Sequence, residues 1–192
     1  MTGYSMDNDL GSAVEVLSRG GLILYPTDTV WGIGCDATNP EAVETIYTLK
    51  RREDAKSMLI LVDTEVRLQQ YVQEIPEIAR ELIEVSDRPL TLIYPNAKNL
   101  ARNLIAEDGS IGIRIPKDEF CIRLIKAFRR PVVSTSANLS GEKPPDIFEG
   151  ISREIRDGVD YVVSWRQEDP VPGKPSSIIK LQTNGVFSIL RH

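Results

Sequence analysis

Four groups of side chains in this 192-residue sequence are spaced so that they could do chemistry. Lys50, Arg51 and Arg52, followed by Lys56, gather cations within one short stretch. An ammonium supplies a point charge and a guanidinium a fork of N–H donors, a combination suited to phosphate. The run Ser134-Thr135-Ser136-Ala137-Asn138-Leu139-Ser140-Gly141 combines hydroxyls and an amide with small residues, so backbone N–H groups could approach an anion. In Tyr25-Pro26-Thr27-Asp28-Thr29-Val30-Trp31-Gly32, hydroxyls and a carboxylate follow an apolar stretch, the arrangement by which a strand end holds a small polar ligand. Arg114 stands between Ile113 and Ile115, where it either meets solvent or reaches a carboxylate in a cleft. Each group also has a plainer reading: a solvated charge run, a serine-rich surface loop, a turn bonded to its own backbone, an arginine on a polar face.

Composition removes other chemistries. The only histidine is His192, which excludes a Ser-His-Asp triad and a multi-histidine metal site. A net charge of −5 argues against a wholly cationic surface while allowing a local basic cleft. Cys35 and Cys121 form no CxxC pair and fit a reducing compartment. The longest aliphatic run, Met58 to Val62, is too short to span a membrane, and Asp7 and Asp9 near the start do not suit a signal peptide. A cytoplasmic location is expected. No G-x-x-x-x-G-K-[ST] motif is present. Gly32-Ile33-Gly34-Cys35-Asp36-Ala37 fits G-x-G-x-x-A, but dinucleotide binding requires a helix to open inside that turn. Helix-start signals come later, at Asn39-Pro40, so these glycines are expected in a loop.

The elements that must position these groups alternate. Helices are predicted from Asp9 through Leu17, after the Asn39 cap, near Thr64–Gln73, over Pro76–Val85, from Asp118 through Phe128 and near Asp146–Arg156. Strands are predicted at Leu22–Tyr25, Met58–Val62, Leu90–Tyr94, Ile111–Ile115, Pro131–Ser134 and Val159–Trp165. A hairpin over Ser177–Leu181 and Val186–Leu190 turns at Asn184-Gly185. Val43, Ile46, Tyr47 and Lys50 share one helix face, which points the Lys50 ammonium inward, where it needs an anion. The pattern predicts one α/β domain over residues 1–192, an open twisted mixed sheet with helices packed on it.

Taken together, the motifs resemble the YrdC-like threonylcarbamoyl-AMP synthase family over nearly the whole chain. Matching segments are Tyr25–Gly34, Lys50-x-Arg52 with Lys56, Ile111–Pro116, Ser134–Gly141, and Pro175–Leu181 with Arg191. The resemblance implies a YrdC-like fold with a large concave face. It also implies synthesis of threonylcarbamoyl adenylate and pyrophosphate from L-threonine, bicarbonate or CO2, and ATP, with Mg2+ carried on the ATP. A downstream threonylcarbamoyl-transferase complex would pass the group to tRNA. The family's K-x-R and S-x-N tetrad falls on Lys50, Arg52, Ser136 and Asn138, which would be catalytic and bind ATP. Lys56, Ser110, Pro144 and Arg191 also fall at ATP-contacting positions, and Thr29, Arg114, Ser134 and Ser177 at threonine-contacting ones. Trp31 stands where the family usually has Tyr, Glu53 where Pro is usual, Ser57 where Pro or Gly is common, and Ser177 where Thr is common. An alternative implied by the same family is a non-catalytic module for tRNA or double-stranded RNA, with Lys50, Arg51, Arg52, Lys56, Arg114, Arg129 and Arg130 as its basic face.

Overall fold

The computed structural model describes residues 6–51, 58–182 and 186–192. In chain order the helices are α1 (Met6–Ser18), α2 (Pro40–Leu49), α3 (Glu65–Leu68), α4 (Glu77–Val85), α5 (Glu119–Phe128) and α6 (Arg153–Asp157). The strands are β1 (Ile23–Tyr25), β2 (Gly32–Gly34), β3 (Leu59–Leu61), β4 (Leu90–Tyr94), β5 (Ile111–Arg114), β6 (Val132–Ser136), β7 (Tyr161–Val162), β8 (Ser177–Leu181) and β9 (Phe187–Arg191).

Local chemistry explains where the main helices start. The Asn39 carboxamide accepts from the N–H groups of Glu41 and Ala42, and Pro40 occupies the first helical position. Asp118 accepts from the Cys121 N–H and opens α5, which closes on Arg129 in the left-handed region, at φ 63°. Each such cap is worth about 1 kcal/mol.

The strands join in the order β7-β1-β2-β6-β3-β5-β4-β8-β9. β1 runs parallel to β7 and antiparallel to β2, β6 is antiparallel to both β2 and β3, and β3 is parallel to β5. β4 is antiparallel to β5 and parallel to β8, and β9 closes the row antiparallel to β8. The order is linear, so the sheet is open and mixed. Its core is built from the continuous apolar strands, among them Leu22 to Tyr25, Ile60 to Val62 and Val132-Val133, against Phe120, Leu124 and Ile125 of α5. Fully burying one such aliphatic or aromatic side chain contributes about 1.5–3 kcal/mol.

Three expectations need correction. Gly32 to Gly34 form strand β2, not a loop. They are glycines because the sheet is crowded there: a Cβ on Gly34 would lie 2.7 Å from the Tyr25 ring and 2.8 Å from the Val133 carbonyl. The helix expected near Asp146–Arg156 is broken into a 3-10 turn at Phe148–Gly150 and the short α6, capped by Ser152. The strand expected over Val159–Trp165 is shortened to Tyr161–Val162, with a last bond from the Val163 N–H to the Leu24 carbonyl, after which the N–H groups of Ser164 and Trp165 bond the Asp9 carboxylate. The Asn184-Gly185 turn lies outside the described residues, although the strands flanking it pair as expected.

Candidate active site

The cavity opens where β2, β5, β6, β8 and β9 bring separate segments together, and it measures about 240 Å3. Arg114, Thr29, Ser134 and Gly32 line it. So do Ser136, Pro144 and Arg191. The sequence separates these residues widely; the sheet order makes them neighbours, for Gly32 pairs with Ser136 across β2 and β6.

Arg114 ends β5 and is 3% exposed. The solvent-facing reading therefore fails, and a buried guanidinium needs a counter-charge. Asp28 supplies it, with Oδ1 3.3 Å from the Arg114 guanidinium. The other Asp28 oxygen accepts from the Lys117 N–H at 3.2 Å. Beside it the Thr27 hydroxyl donates to the Val30 carbonyl, accepts from the Thr29 N–H, and shares a 2.9 Å bond with the Thr29 hydroxyl. A second buttress lies behind this turn. Arg166 reaches the Thr27 carbonyl, pairs with Asp118 at 2.9 Å and with Asp169 at 3.2 Å. Sequence reasoning missed Arg166 because a lone arginine before a mixed polar loop carries no spacing signal.

Lys50 follows α2 and is 3% exposed, as its place on the apolar stripe predicts. Its ammonium donates to the Ser136 carbonyl, and to the Asn138 carbonyl at 2.6 Å. The Lys50 carbonyl in turn accepts from the Ser140 N–H. Sequence periodicity predicts an anion at this ammonium; the acceptors seen there include a pair of backbone carbonyls. Asn138 continues the clasp by donating its side-chain amide to the carbonyls of Leu139 and Glu142. The cation-rich stretch and the hydroxyl-rich bend therefore meet, with Lys50 as the strut beneath Ser136.

Arg191 approaches from β9. Its Nε donates to the Ser176 carbonyl at 2.8 Å, and its terminal nitrogen lies 3.4 Å from the Ser176 hydroxyl. Partial desolvation, and then the positive charge of Arg114, depress the Arg191 pKa. Two guanidinium groups thus repel each other across one hollow, and an anion placed between them would relieve both. Ser176, 2% exposed and bonded to Thr91, lines the hollow together with Ile178. Ser177 does not line it. Strand alternation turns Ser177, with Ile179, into a separate cleft beside Leu82 and Val85 of α4. Ser110, at the far end of β5 from Arg114, also lies outside the cavity lining; its hydroxyl donates to Asp108, whose carboxylate is held down to a pKa of about 2 by bonds from Lys180 and Ser110.

Arg52, Glu53, Asp54, Lys56 and Ser57 lie outside the described residues. Among the described residues, the basic side chains expected on an RNA face differ in exposure and pairing. Lys50 and Arg114 are buried, Arg51 pairs with Glu154, Arg130 pairs with Asp36, and Arg129 serves as the C-cap of α5.

A family model, Sua5/yciO/yrdC (telomere recombination), matches residues 15–192. The chain is 31% identical over 188 residues to the threonylcarbamoyl-AMP synthase of Pseudoalteromonas translucida, covering 95% of this chain and 98% of that protein. It is 33% identical over 169 residues to the protein of the same name from Hahella chejuensis, covering 88% of each. Among solved structures it resembles P. abyssi Sua5 complexed with L-threonine, at 25% identity and a TM-score of 0.84, over 97% of this chain. It spans 54% of that longer Sua5 chain. The fold also matches E. coli YciO, at 24% identity and a TM-score of 0.83, over 98% of this chain and 90% of that one.

Proposed function

Because this chain belongs to the Sua5/yciO/yrdC family, we propose that it is an ATP-dependent threonylcarbamoyl-AMP synthase, a nucleotidyltransferase that acts on L-threonine, CO2 or bicarbonate, and ATP. One observation carries the reading: a single hollow is lined by Arg114, Thr29 and Ser134 and also by Ser136, Pro144 and Arg191. An amino-acid carboxylate suits the first set and a nucleotide phosphate the second.

In the first step the neutral amine of L-threonine attacks CO2; an N–C bond forms, a C=O π pair moves onto oxygen, and the nitrogen releases one proton to water to give a carbamate. In the second, a carbamate oxygen attacks the α-phosphorus of ATP and the bond to the β-phosphate breaks, releasing pyrophosphate. Both steps gather negative charge on oxygen, so preplaced cations and donors lower the barrier, and holding the reactants in line supplies much of the rest. No histidine base is needed for either. Arg114 takes the threonine carboxylate, and Thr29 and Ser134 bond its remaining polar groups. Ser136 and Arg191 face the nucleotide, Lys50 and Asn138 hold Ser136 in place, and Arg52 and Lys56 are assigned to the phosphates. Among the described residues no group of three or more His, Cys, Asp or Glu side chains converges. Mg2+ in this proposal therefore arrives on the triphosphate.

The product is a mixed anhydride, which loses its carbamoyl group to water unless an acceptor is near. A transferase complex that passes the group to tRNA is accordingly the proposed consumer, with the cytoplasm as its place of action. No described helix is long and apolar enough to cross a membrane. The test is a mixture of protein, ATP, L-threonine and bicarbonate, with each omitted in turn and the adenylate sought by mass spectrometry. Adenylate only in the full mixture is the expected result; its absence there overturns the proposal.

A further inference from the structure

The Arg114 guanidinium cannot select its own orientation. An arginine side chain has several rotatable bonds, and its forked donors recognise a carboxylate bidentately only when the plane is fixed. Among the described residues, a single carboxylate is ion-paired with it, and the pairing is a charge contact: Asp28 Oδ1 and Arg114 Nε are both buried without a hydrogen-bond partner. Asp28, with a side chain 9% exposed, sits 3.3 Å from the guanidinium, and its second oxygen is tied to the Lys117 N–H. Arg191, which also lines the hollow, is bonded to Ser176 and repels Arg114. Arg114 lines the cavity, and Asp28 contacts its guanidinium without being one of the lining residues. The turn that carries Asp28 is itself braced by the Thr27 bonds and by Arg166.

From this geometry we infer that Asp28 is a positioning residue: it aims the Arg114 fork into the cavity and thereby sets discrimination for a ligand bearing a carboxylate over the same ligand without one. The inference rests on the proposed function, in which that ligand is L-threonine. Asp28 does not exchange a proton with substrate. Its effect passes through Arg114, and Ser136, Pro144 and Arg191, the lining residues assigned to the nucleotide, are not touched by it.

The experiment compares the native protein with D28N, D28E, R114Q and D28N/R114Q. Binding of L-threonine, of L-threoninol (which lacks the carboxylate) and of ATP is measured by calorimetry. Native protein prefers L-threonine to L-threoninol. D28N loses about tenfold or more in L-threonine affinity, the scale of one charge-assisted hydrogen bond, while L-threoninol and ATP change by less than about twofold. D28E keeps the charge paired and the fold intact but displaces the guanidinium by a methylene, and it shows the same selective loss. In the R114Q background, adding D28N changes nothing further. Unchanged L-threonine affinity in D28N and D28E overturns the inference, as does an equal loss of L-threoninol or ATP, or a further loss on top of R114Q. Native protein that binds no L-threonine at all overturns the functional reading itself, a result separate from indifference of D28N in a protein that does bind it.

Discussion

Replacing Gly173 with alanine tests whether the strap entering β8 sets the position of the threonine-facing turn. A Cβ built on Gly173 falls 1.9 Å from the Thr29 carbonyl oxygen and 3.0 Å from the Val30 Cα. Real Cβ contacts do not fall below 3.0 Å, so strap and turn must separate by roughly 1.1 Å, and neither can do so alone without moving part of the cavity wall. The turn carries Thr29 and the strap carries Pro175 and Ser176, all of which line the hollow. Overpacking of this kind costs about 1–3 kcal/mol, which in a chain of this size lowers Tm by roughly 3–10 °C. A displacement near 1 Å at a reacting site costs about 100-fold in rate. In a pyrophosphate-release assay that depends on threonine and bicarbonate, G173A is expected to fall about 100-fold in kcat/KM for L-threonine while still unfolding cooperatively. Native activity with an unchanged Tm would refute the steric argument, since strap and turn would then not be in contact.

The Lys50 strut makes a second prediction. K50M removes charge-assisted bonds to the Ser136 and Asn138 carbonyls, so it should lose about 3 kcal/mol or more, read by urea denaturation, together with adenylate synthesis. Activity lost at native stability would place Lys50 on the substrate instead. Gly11 is a third case: it lies exposed within α1, and a methyl added there would meet nothing within 4 Å. G11A should therefore raise stability by about 0.5–1 kcal/mol in the same denaturation, with activity unchanged.

Much of the fold could be read from the sequence because its signals are local. The Asn39-Pro40 cap, the Asp118 cap and the apolar run Leu90–Tyr94 all appear as their residues suggest. The inward placement of Lys50 followed from helix periodicity, and its burial agrees. What escaped was set by pairing at a distance. Choosing between Ser176 and Ser177 depends on which face of β8 meets the cavity, and that parity comes from pairing with β4 and β9. The glycines of β2 looked like loop residues because the crowding that demands them comes from Tyr25 and Val133, the latter on β6, far along the chain. Asp28 could be seen as a turn former, but its partner Arg114 and its neighbour Lys117 arrive only once β5 is in place.

β9 joins the sheet through β8 alone, and each of its residues is exposed. Arg191, the cation at the nucleotide side, rides on this outermost strand. Whenever that margin peels away, the hollow loses a guanidinium group from its lining, so retention of an anionic guest and integrity of the sheet's rim are a single equilibrium. A bound guest would thus slow hydrogen exchange of amides at the rim, at positions it never touches.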